Sequence, residues 1–240
     1  MSRRCIFCNS VPVTREHILG RWLRPMVPGT GAFTHSRSGA SGAPHIVWSS
    51  DSIDYKVKLV CEACNNGWMR ALDEATSPII GPLVQGQRTA LSTEAKSTLA
   101  SWLSKVQLLF QYMANPPRPA SQARRAAMSA SHGPFKGTYV SLGTYEGRWP
   151  LWARYHELQL IRPSKPLEPL AGERLTISIG KFAAQIFLGP EHSTHAVALT
   201  PVDATRDWLQ PLWPDVTPII WPPLRAMSDA DLETFSTWST

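Results

Sequence analysis

The residues of this chain best suited to chemistry are its four cysteines, which form two Cys-x-x-Cys pairs. Cys5 and Cys8 make the first pair, Cys61 and Cys64 make the second, and no other cysteine is present. Two such pairs supply the four thiolates of a tetrahedral zinc site, while the chain between them loops away. A redox pair would not need a second copy, and unrelated buried thiols would not share one spacing. We therefore predict a structural zinc ion bound by all four cysteines.

Polar residues that could act on a phosphodiester lie beside both pairs. Glu16 and His17 are adjacent and follow the first pair, and Asn65 comes directly after the second. Imidazole can serve as a general base near neutral pH, and carboxylate and amide oxygens bind divalent cations such as Mg²⁺. Together they could activate water and stabilise charge at phosphorus. Two simpler roles stay open at this point: Asn65 as a helix cap, and Glu16 as an acid in the first turn of a helix.

The order of these motifs resembles the HNH, or His-Me finger, endonucleases. It is most similar to the treble-clef branch typified by phage endonuclease VII, and to uncharacterised bacterial and phage proteins described as HNH endonucleases. The resemblance covers about the first 80 residues. The strings that carry it are Cys5-Ile6-Phe7-Cys8, Arg15-Glu16-His17-Ile18-Leu19 with Trp22-Leu23, and Cys61-Glu62-Ala63-Cys64-Asn65-Asn66-Gly67-Trp68-Met69.

The resemblance implies a ββα-metal module that hydrolyses phosphodiester bonds of nucleic acid, with DNA favoured over RNA. His17 would be the general base, Glu16 and Asn65 would bind Mg²⁺ or another divalent cation, and the zinc would brace the module. Many members have a further metal-ligating histidine on the helix, and residues 65–76 contain none. The alternative function is a noncatalytic zinc module, a degenerate HNH protein, that binds nucleic acid or protein.

Composition restricts the class of protein and its partners. Of the 240 residues 43% are hydrophobic, which excludes a disordered chain as a whole. Lysine and arginine number 24 against 18 acidic residues, and the net charge of +6 suits a polyanionic partner. No apolar run is long enough for a membrane span, and the first ten residues lack a secretory signal. We therefore expect a cytoplasmic protein whose partner is nucleic acid, with no membrane partner.

Periodicity indicates the elements that must position these residues. Trp22 and Trp68 are predicted core residues, and the module that contains them is expected to span residues 1–80. The expected elements are a helix over Ile18–Met26, a loop over 30–44, a hairpin of Ile46–Trp48 with Tyr55–Val60 around Asp51, and a helix from Asn66 to Pro78 that buries Trp68, Leu72 and Ala75.

The second part of the chain, residues 90–240, is expected to be a mixed helix-and-sheet body of unknown role that packs on the first. The sequence thus predicts an α+β fold that begins with a treble-clef-like zinc module. The expected elements are a long core helix capped by Ser92 or Thr93, a break at Asn115–Pro119, a basic helix over 121–131, strands near 138–142, 151–161, 173–179, 182–188 and 195–199, and a last helix after Ser228.

Overall fold

The fold is α+β, as predicted. The structure is a computed structural model, and it describes residues 3–27, 33–37, 46–50, 56–113, 119–162, 165–190, 207–215 and 217–237. Within these ranges no helix is both long enough and apolar enough to cross a membrane.

The N-terminal part contains a two-stranded antiparallel sheet followed by a helix. The first strand runs directly out of the first cysteine pair, and the second runs into the second pair. A ββα arrangement therefore joins the two halves of the cysteine cluster. Its elements are β1 (Val13–His17), a 3₁₀ helix (Arg21–Met26), β4 (Lys56–Cys61), α1 (Glu62–Cys64), a π-helical turn (Asn65–Met69) and α2 (Arg70–Val84); β2 (Phe33–Arg37) and β3 (Ile46–Ser50) pair with each other.

The strand pairing expected in this part is wrong. β3 pairs with β2, which lies inside the region predicted as a loop, and β4 pairs with β1 instead of β3. The register of β1 and β4 sets Val13 opposite Cys61, so this pairing brings the two cysteine pairs together. The turn expected at Asp51 lies outside the described residues.

The helix expectations also need correction. The helix expected over Ile18–Met26 is shorter, a 3₁₀ turn from Arg21 to Met26. The helix after the second cysteine pair does not stop at Pro78 but continues through it to Val84. The carbonyl that Pro78 leaves without a helical partner belongs to Glu74, on the exposed side of the helix, where water can satisfy it.

The buried face of α2 also differs from the expected one. Ala75 is exposed, and Trp68, just after a kink at Gly67, is half-buried against the core. The buried residues of α2 are Leu72, Thr76, Ile80, Gly81, Leu83 and Val84.

The second part is built on a six-stranded sheet and helices. Five strands form an antiparallel path in the order β10-β6-β9-β8-β7, and β12 pairs in parallel with β6. The strand predicted at 195–199 lies outside the described residues; the other expected helices and strands are present. The elements are β5 (Thr89–Leu91), α3 (Thr93–Phe110), a 3₁₀ turn (Gln111–Met113), α4 (Gln122–Ser131), β6 (Thr138–Tyr145), β7 (Leu151–Arg162), β8 (Lys165–Ile179), β9 (Phe182–Leu188), β10 (Leu209–Trp213), β11 (Ile219–Trp221), which pairs with β5, β12 (Ala226–Met227) and α5 (Asp229–Thr237).

Helix α3 lies between the N-terminal part and the sheet. The Ser92 side chain caps it by accepting a hydrogen bond from the Ala95 N–H, as predicted. One hydrophobic core joins Cys64 of the cysteine cluster, Leu103 of α3 and Ile177 of the sheet. α3 is buried on nearly all sides from Leu99 to Phe110, and it packs on both α2 and the sheet. Side chains of α3 can therefore reach the N-terminal site.

Candidate metal centre and catalytic cleft

The four cysteines come together in one cluster that could hold a metal ion such as zinc. Their sulfur atoms all lie within 4.8 Å of one another, and the Cys8 and Cys61 Sγ atoms are 3.4 Å apart. Zinc–thiolate bonds of about 2.3 Å place sulfurs roughly 3.8 Å apart in a tetrahedron, so the cluster has the right size. None of the four forms a disulfide. The predicted ligand set Cys5, Cys8, Cys61 and Cys64 is thus brought together.

Backbone hydrogen bonds shape the first cysteine pair into a tight turn. The Cys5 N–H donates to the Ser10 carbonyl at 2.8 Å, and the Asn9 N–H donates to the Cys5 carbonyl at 2.9 Å. Burial raises the pKa of Cys8, but hydrogen bonds from Ser10 and the neighbouring thiols outweigh it and lower this pKa to about 6. A thiolate is the form that binds metal, so Cys8 is suited to binding near neutral pH, whereas burial raises the pKa of Cys61 and Cys64, whose protons a bound metal would displace.

An irregularity between β1 and β4 ties this turn to the hairpin. Thr14 pairs with Val60 and Glu16 pairs with Val57, so β4 contains one extra residue. The Leu59 carbonyl in this bulge accepts the Ile6 N–H at 2.9 Å. A bulge bends a strand and redirects its side chains. The bend lies in β4, opposite Arg15, whereas Glu16 and His17 on β1 pair in regular register with Val57 and Lys56.

Glu16 and His17, at the end of β1, line the same cleft as Asn65. The cleft has a volume of about 1140 Å³ and runs along α2 from the cysteine cluster to the end of the helix. Arg21 and Arg70 also line it, and both are exposed. The other lining residues are Gly20, Trp22, Met26, Asn66, Asp73, Glu74, Ser77, Pro78, Gly81, Pro82 and Gln85.

Hydrogen bonds fix the amide of Asn65. Its Nδ2 donates to the Thr14 Oγ1 at 3.3 Å, and the Asn65 side chain also bonds the Glu16 carboxylate. With its N–H groups used in this way, Asn65 has its carbonyl oxygen to offer a cation. Thr14 in turn donates to the Val60 carbonyl at 3.0 Å. The ends of both strands therefore position this amide.

Two of the simpler roles considered for these residues are wrong. Asn65 has helical backbone angles and its N–H donates to the Glu62 carbonyl, so it does not cap the N-terminus of the helix, which begins at Glu62. Glu16 lies in a strand and not in the first turn of a helix.

Glu16 is a buried carboxylic acid. It is 6% exposed, and burial raises its pKa to about 7, with Asp73 adding to the rise and Lys105 and the His17 N–H opposing it. A buried acid with a raised pKa in a cleft is a common mark of a functional site.

Sequence reasoning missed a second carboxylate in this cleft and its partners on α3. Asp73 Oδ1 accepts hydrogen bonds from the Lys105 Nζ at 2.5 Å and the Trp102 Nε1 at 2.9 Å. Lys105 and Trp102 are fully buried, while the Asp73 side chain is 15% exposed. The helix predicted as core is core, but buried polar residues lie on it too, and one of them, Lys105, pairs with an acid in the cleft. No local pattern would have shown this pairing.

Breaking the Asp73–Lys105 pair is expected to destabilise the protein by about 3–5 kcal/mol, because one charge is left buried without its partner. Urea denaturation of Lys105→Met, Asp73→Asn and the double variant measures the coupling between them. The control is Arg70→Met, which breaks an ion pair with Glu74 whose side chains are 69% and 64% exposed. The free energy of unfolding of Arg70→Met should fall by no more than about 1 kcal/mol. Additive effects of the two core substitutions would contradict the expectation.

Glu16 should make stability depend on pH in protein without added divalent cations. Its pKa is near 4.5 when unfolded and about 7 when folded. Between these values the folded state retains a proton that the unfolded state releases, so the free energy of unfolding falls as pH rises. Glu16→Gln lacks this titration. The free energy of unfolding of the variant, relative to that of the wild type, should therefore rise by roughly 3 kcal/mol from pH 4.5 to pH 8. Urea denaturation of both across this range measures the difference; a constant difference would contradict the assignment.

The second part of the chain also contacts the cysteine turn. The Arg125 Nε in α4 donates to the Ile6 carbonyl at 2.9 Å. The Trp68 and His132 rings stack with their centroids 5.5 Å apart. The Phe7 and Trp68 rings pack in a T-shaped arrangement with their centroids 5.1 Å apart. The candidate centre is therefore held from two sides, by α3 behind the cleft and by α4 over the first cysteine pair.

Comparison of this chain with known proteins leaves the family open. No family model, no curated protein and no solved structure matches it. The case for a function therefore rests on the residues of the site and on their arrangement.

Proposed function

We propose that this protein is a metal-dependent endonuclease of the HNH type, which hydrolyses phosphodiester bonds of nucleic acid, with DNA preferred to RNA. The observation that carries the proposal is the cleft that Glu16, His17 and Asn65 line together beside the cysteine cluster. These three residues lie on two segments 47 residues apart, and the β1–β4 pairing is what unites them. A set that combines an acid, an imidazole and an amide suits phosphodiester hydrolysis.

The division of roles follows from the chemistry of each group. His17 accepts the proton of the attacking water. Glu16 and Asn65 offer a carboxylate oxygen and an amide oxygen, which are the ligands that Mg²⁺ prefers. A divalent cation held there would supply positive charge against the charge that develops on the phosphate. Arg21 and Arg70, exposed in the same cleft, are placed to contact phosphates of the bound strand.

The charge balance of the cleft agrees with a bound cation. Glu16 and Asp73 are two carboxylates in one cavity, and Lys105 is the buried cation that faces them. When the acids are ionised, the buried groups leave one negative charge and the exposed Arg21, Arg70 and Glu74 of the cleft add one positive charge, so the cleft is neutral and a divalent ion would make it net positive. That charge would attract the phosphate backbone.

In this proposal the zinc has a structural role. Four thiolates leave no open coordination position for water or substrate, which is typical of structural zinc. Asn65 follows Cys64 directly, so the cysteine cluster fixes one of the catalytic residues.

Cleavage assays with purified zinc-loaded protein test the function. Supercoiled plasmid, single-stranded DNA and structured RNA are incubated with Mg²⁺, Mn²⁺ or Ni²⁺, and with no added cation. We expect nicking of plasmid only when a cation is added. Intact substrates at a large excess of protein would reject the endonuclease. A noncatalytic module would then be supported by nucleic-acid binding that weakens steeply with salt.

A further inference from the structure

A second cavity lies at the end of the large sheet, close to the catalytic cleft. It has a volume of about 280 Å³ and is lined by Tyr145, Arg148, Trp149 and Lys181, among others. Val84, the last residue of α2, also lines it, and the Lys181 N–H donates to the Val84 carbonyl at 2.9 Å. The next residue of the chain, Gln85, lines the catalytic cleft. The two cavities therefore flank the same end of α2.

A hydrogen-bond network fixes the turn that carries the aromatic and cationic groups of this cavity. The Tyr145 hydroxyl donates to Asp229 and accepts the Trp149 N–H at 3.1 Å. Asp229 also accepts the Arg148 N–H at 3.1 Å and pairs with its guanidinium at 3.0 Å. A Cβ at Gly147 would lie 2.0 Å from Asp229, so only glycine fits there. Trp149 and Arg148 are thus held in place before any ligand binds.

The cavity offers the two kinds of group that bind an unpaired nucleotide. Half-buried Trp149 is the aromatic ring of the cavity that a base can reach; it stacks on the buried Tyr145, which also lines the cavity, and on Trp152, which does not, with centroids 6.3 and 6.1 Å apart and interplanar angles of 11° and 16°. The Arg148 guanidinium lies 5.4 Å from the Trp149 ring centroid. Aromatic rings bind bases of any sequence, and arginine and lysine bind the phosphates between them.

Each cation of the cavity has an ion-pair partner that water can reach. Lys181 lies 3.7 Å from Glu146, and these side chains are 47% and 63% exposed. Arg148 is 77% exposed although it pairs with Asp229. The exposed Lys181–Glu146 pair contributes little free energy, so a phosphate can compete for Lys181.

We propose that this cavity, the Trp149 pocket, binds one unpaired nucleotide of the strand whose backbone lies in the catalytic cleft. The inference rests on the proposed function and specifies its substrate, a nucleic acid with a single-stranded segment. α2 has 15 residues and is about 22 Å long, which corresponds to roughly six nucleotides at the 3.4 Å rise of a duplex strand, and to fewer where the strand is unpaired and extended. The pocket therefore binds the strand several nucleotides from the bond that is cut.

The test measures binding in the full-length, zinc-loaded His17→Ala protein, without added divalent cation, so that no cleavage interferes. The probes are a fluorescein-labelled 20-nucleotide oligo(dT) and a 20-base-pair duplex. Trp149→Ala should weaken oligo(dT) binding about tenfold and change duplex binding less than twofold. The control is Trp208→Ala, which removes a half-buried indole from the same apolar cluster but outside the pocket. Equal losses in the two variants, or an equal loss on duplex, would overturn the proposal.

A second pair of variants separates binding from packing. Lys181→Gln and Glu146→Gln break the same exposed ion pair. If the pair had only a structural role, the two variants would change oligo(dT) affinity in the same direction. We expect Lys181→Gln to weaken oligo(dT) binding about threefold and Glu146→Gln to strengthen it, because the competing carboxylate is gone. Changes of the same sign would overturn the proposal.

Cleavage by the wild type, measured in parallel, keeps the two proposals distinct. If the wild type nicks plasmid but Trp149→Ala binds oligo(dT) normally, the endonuclease stands and the nucleotide pocket is rejected. If binding depends on Trp149 and Lys181 while no cation supports cleavage, the pocket stands and the endonuclease is rejected.

Discussion

Replacement of His17 by alanine is expected to slow metal-dependent nicking of plasmid by about 10²–10⁴-fold, the usual contribution of a general base. Zinc content and thermal stability should match those of the wild type, because His17 is not among the clustered cysteines. Added imidazole should restore part of the activity if the ring acts as a base. A merely structural histidine would not be rescued in this way.

The asparagines that follow the second cysteine pair provide a matched comparison for the same assay. Asn65 is bonded to Thr14 and Glu16, whereas the exposed Asn66 bonds only to Glu62 among the contacts described. Asn65→Ala should lose nicking and require a higher Mg²⁺ concentration, while Asn66→Ala should remain active. Retained activity in His17→Ala, or equal losses in the two asparagine variants, would contradict the assigned roles.

The part of this site that could be predicted from sequence is the part fixed over short distances along the chain. The spacing of Cys61 and Cys64 is local, and Asn65 is attached to it, so the ligand set and its neighbour could be predicted. Glu16 and His17 are likewise attached to the first pair, and each of these relations spans fewer than 15 residues. The β1–β4 pairing that brings Glu16 and His17 into one cleft with Asn65 joins distant segments.

The part that could not be predicted depends on contacts between distant segments. Asp73 and Lys105 are 32 residues apart, and they meet only because α2 packs on α3. Periodicity indicated that α3 is a core helix. Because α3 is buried on nearly all sides, it has no polar face whose position along the sequence would indicate where its buried lysine points. Strand pairing was wrong because proximity along the chain favours a hairpin, whereas the cysteine cluster requires β4 beside β1.

Loss of the metal is expected to unfold the N-terminal part of the chain. The β1–β4 pair is a two-stranded sheet, which is marginal in water without further support. Zinc bound to four thiolates contributes about 10–16 kcal/mol to the folding of small zinc domains. We therefore expect Cys64→Ser to reduce bound zinc from about one ion per chain to a small fraction, to lower the melting temperature by more than roughly 10 °C and to abolish cleavage.

The control for this prediction is Ser10→Ala, which removes a hydrogen bond to the Cys8 thiol but leaves all four ligands in place. It should keep its zinc and most of its stability, and it should bind zinc less well only at lower pH, where Cys8 is protonated. Elemental analysis gives the zinc content, and circular dichroism gives the melting temperature. A Cys64→Ser protein with unchanged melting and cleavage would show that the cluster neither binds a structural ion nor positions Asn65. Because Asn65 follows Cys64 directly, that result would also remove the main support for a fixed catalytic amide.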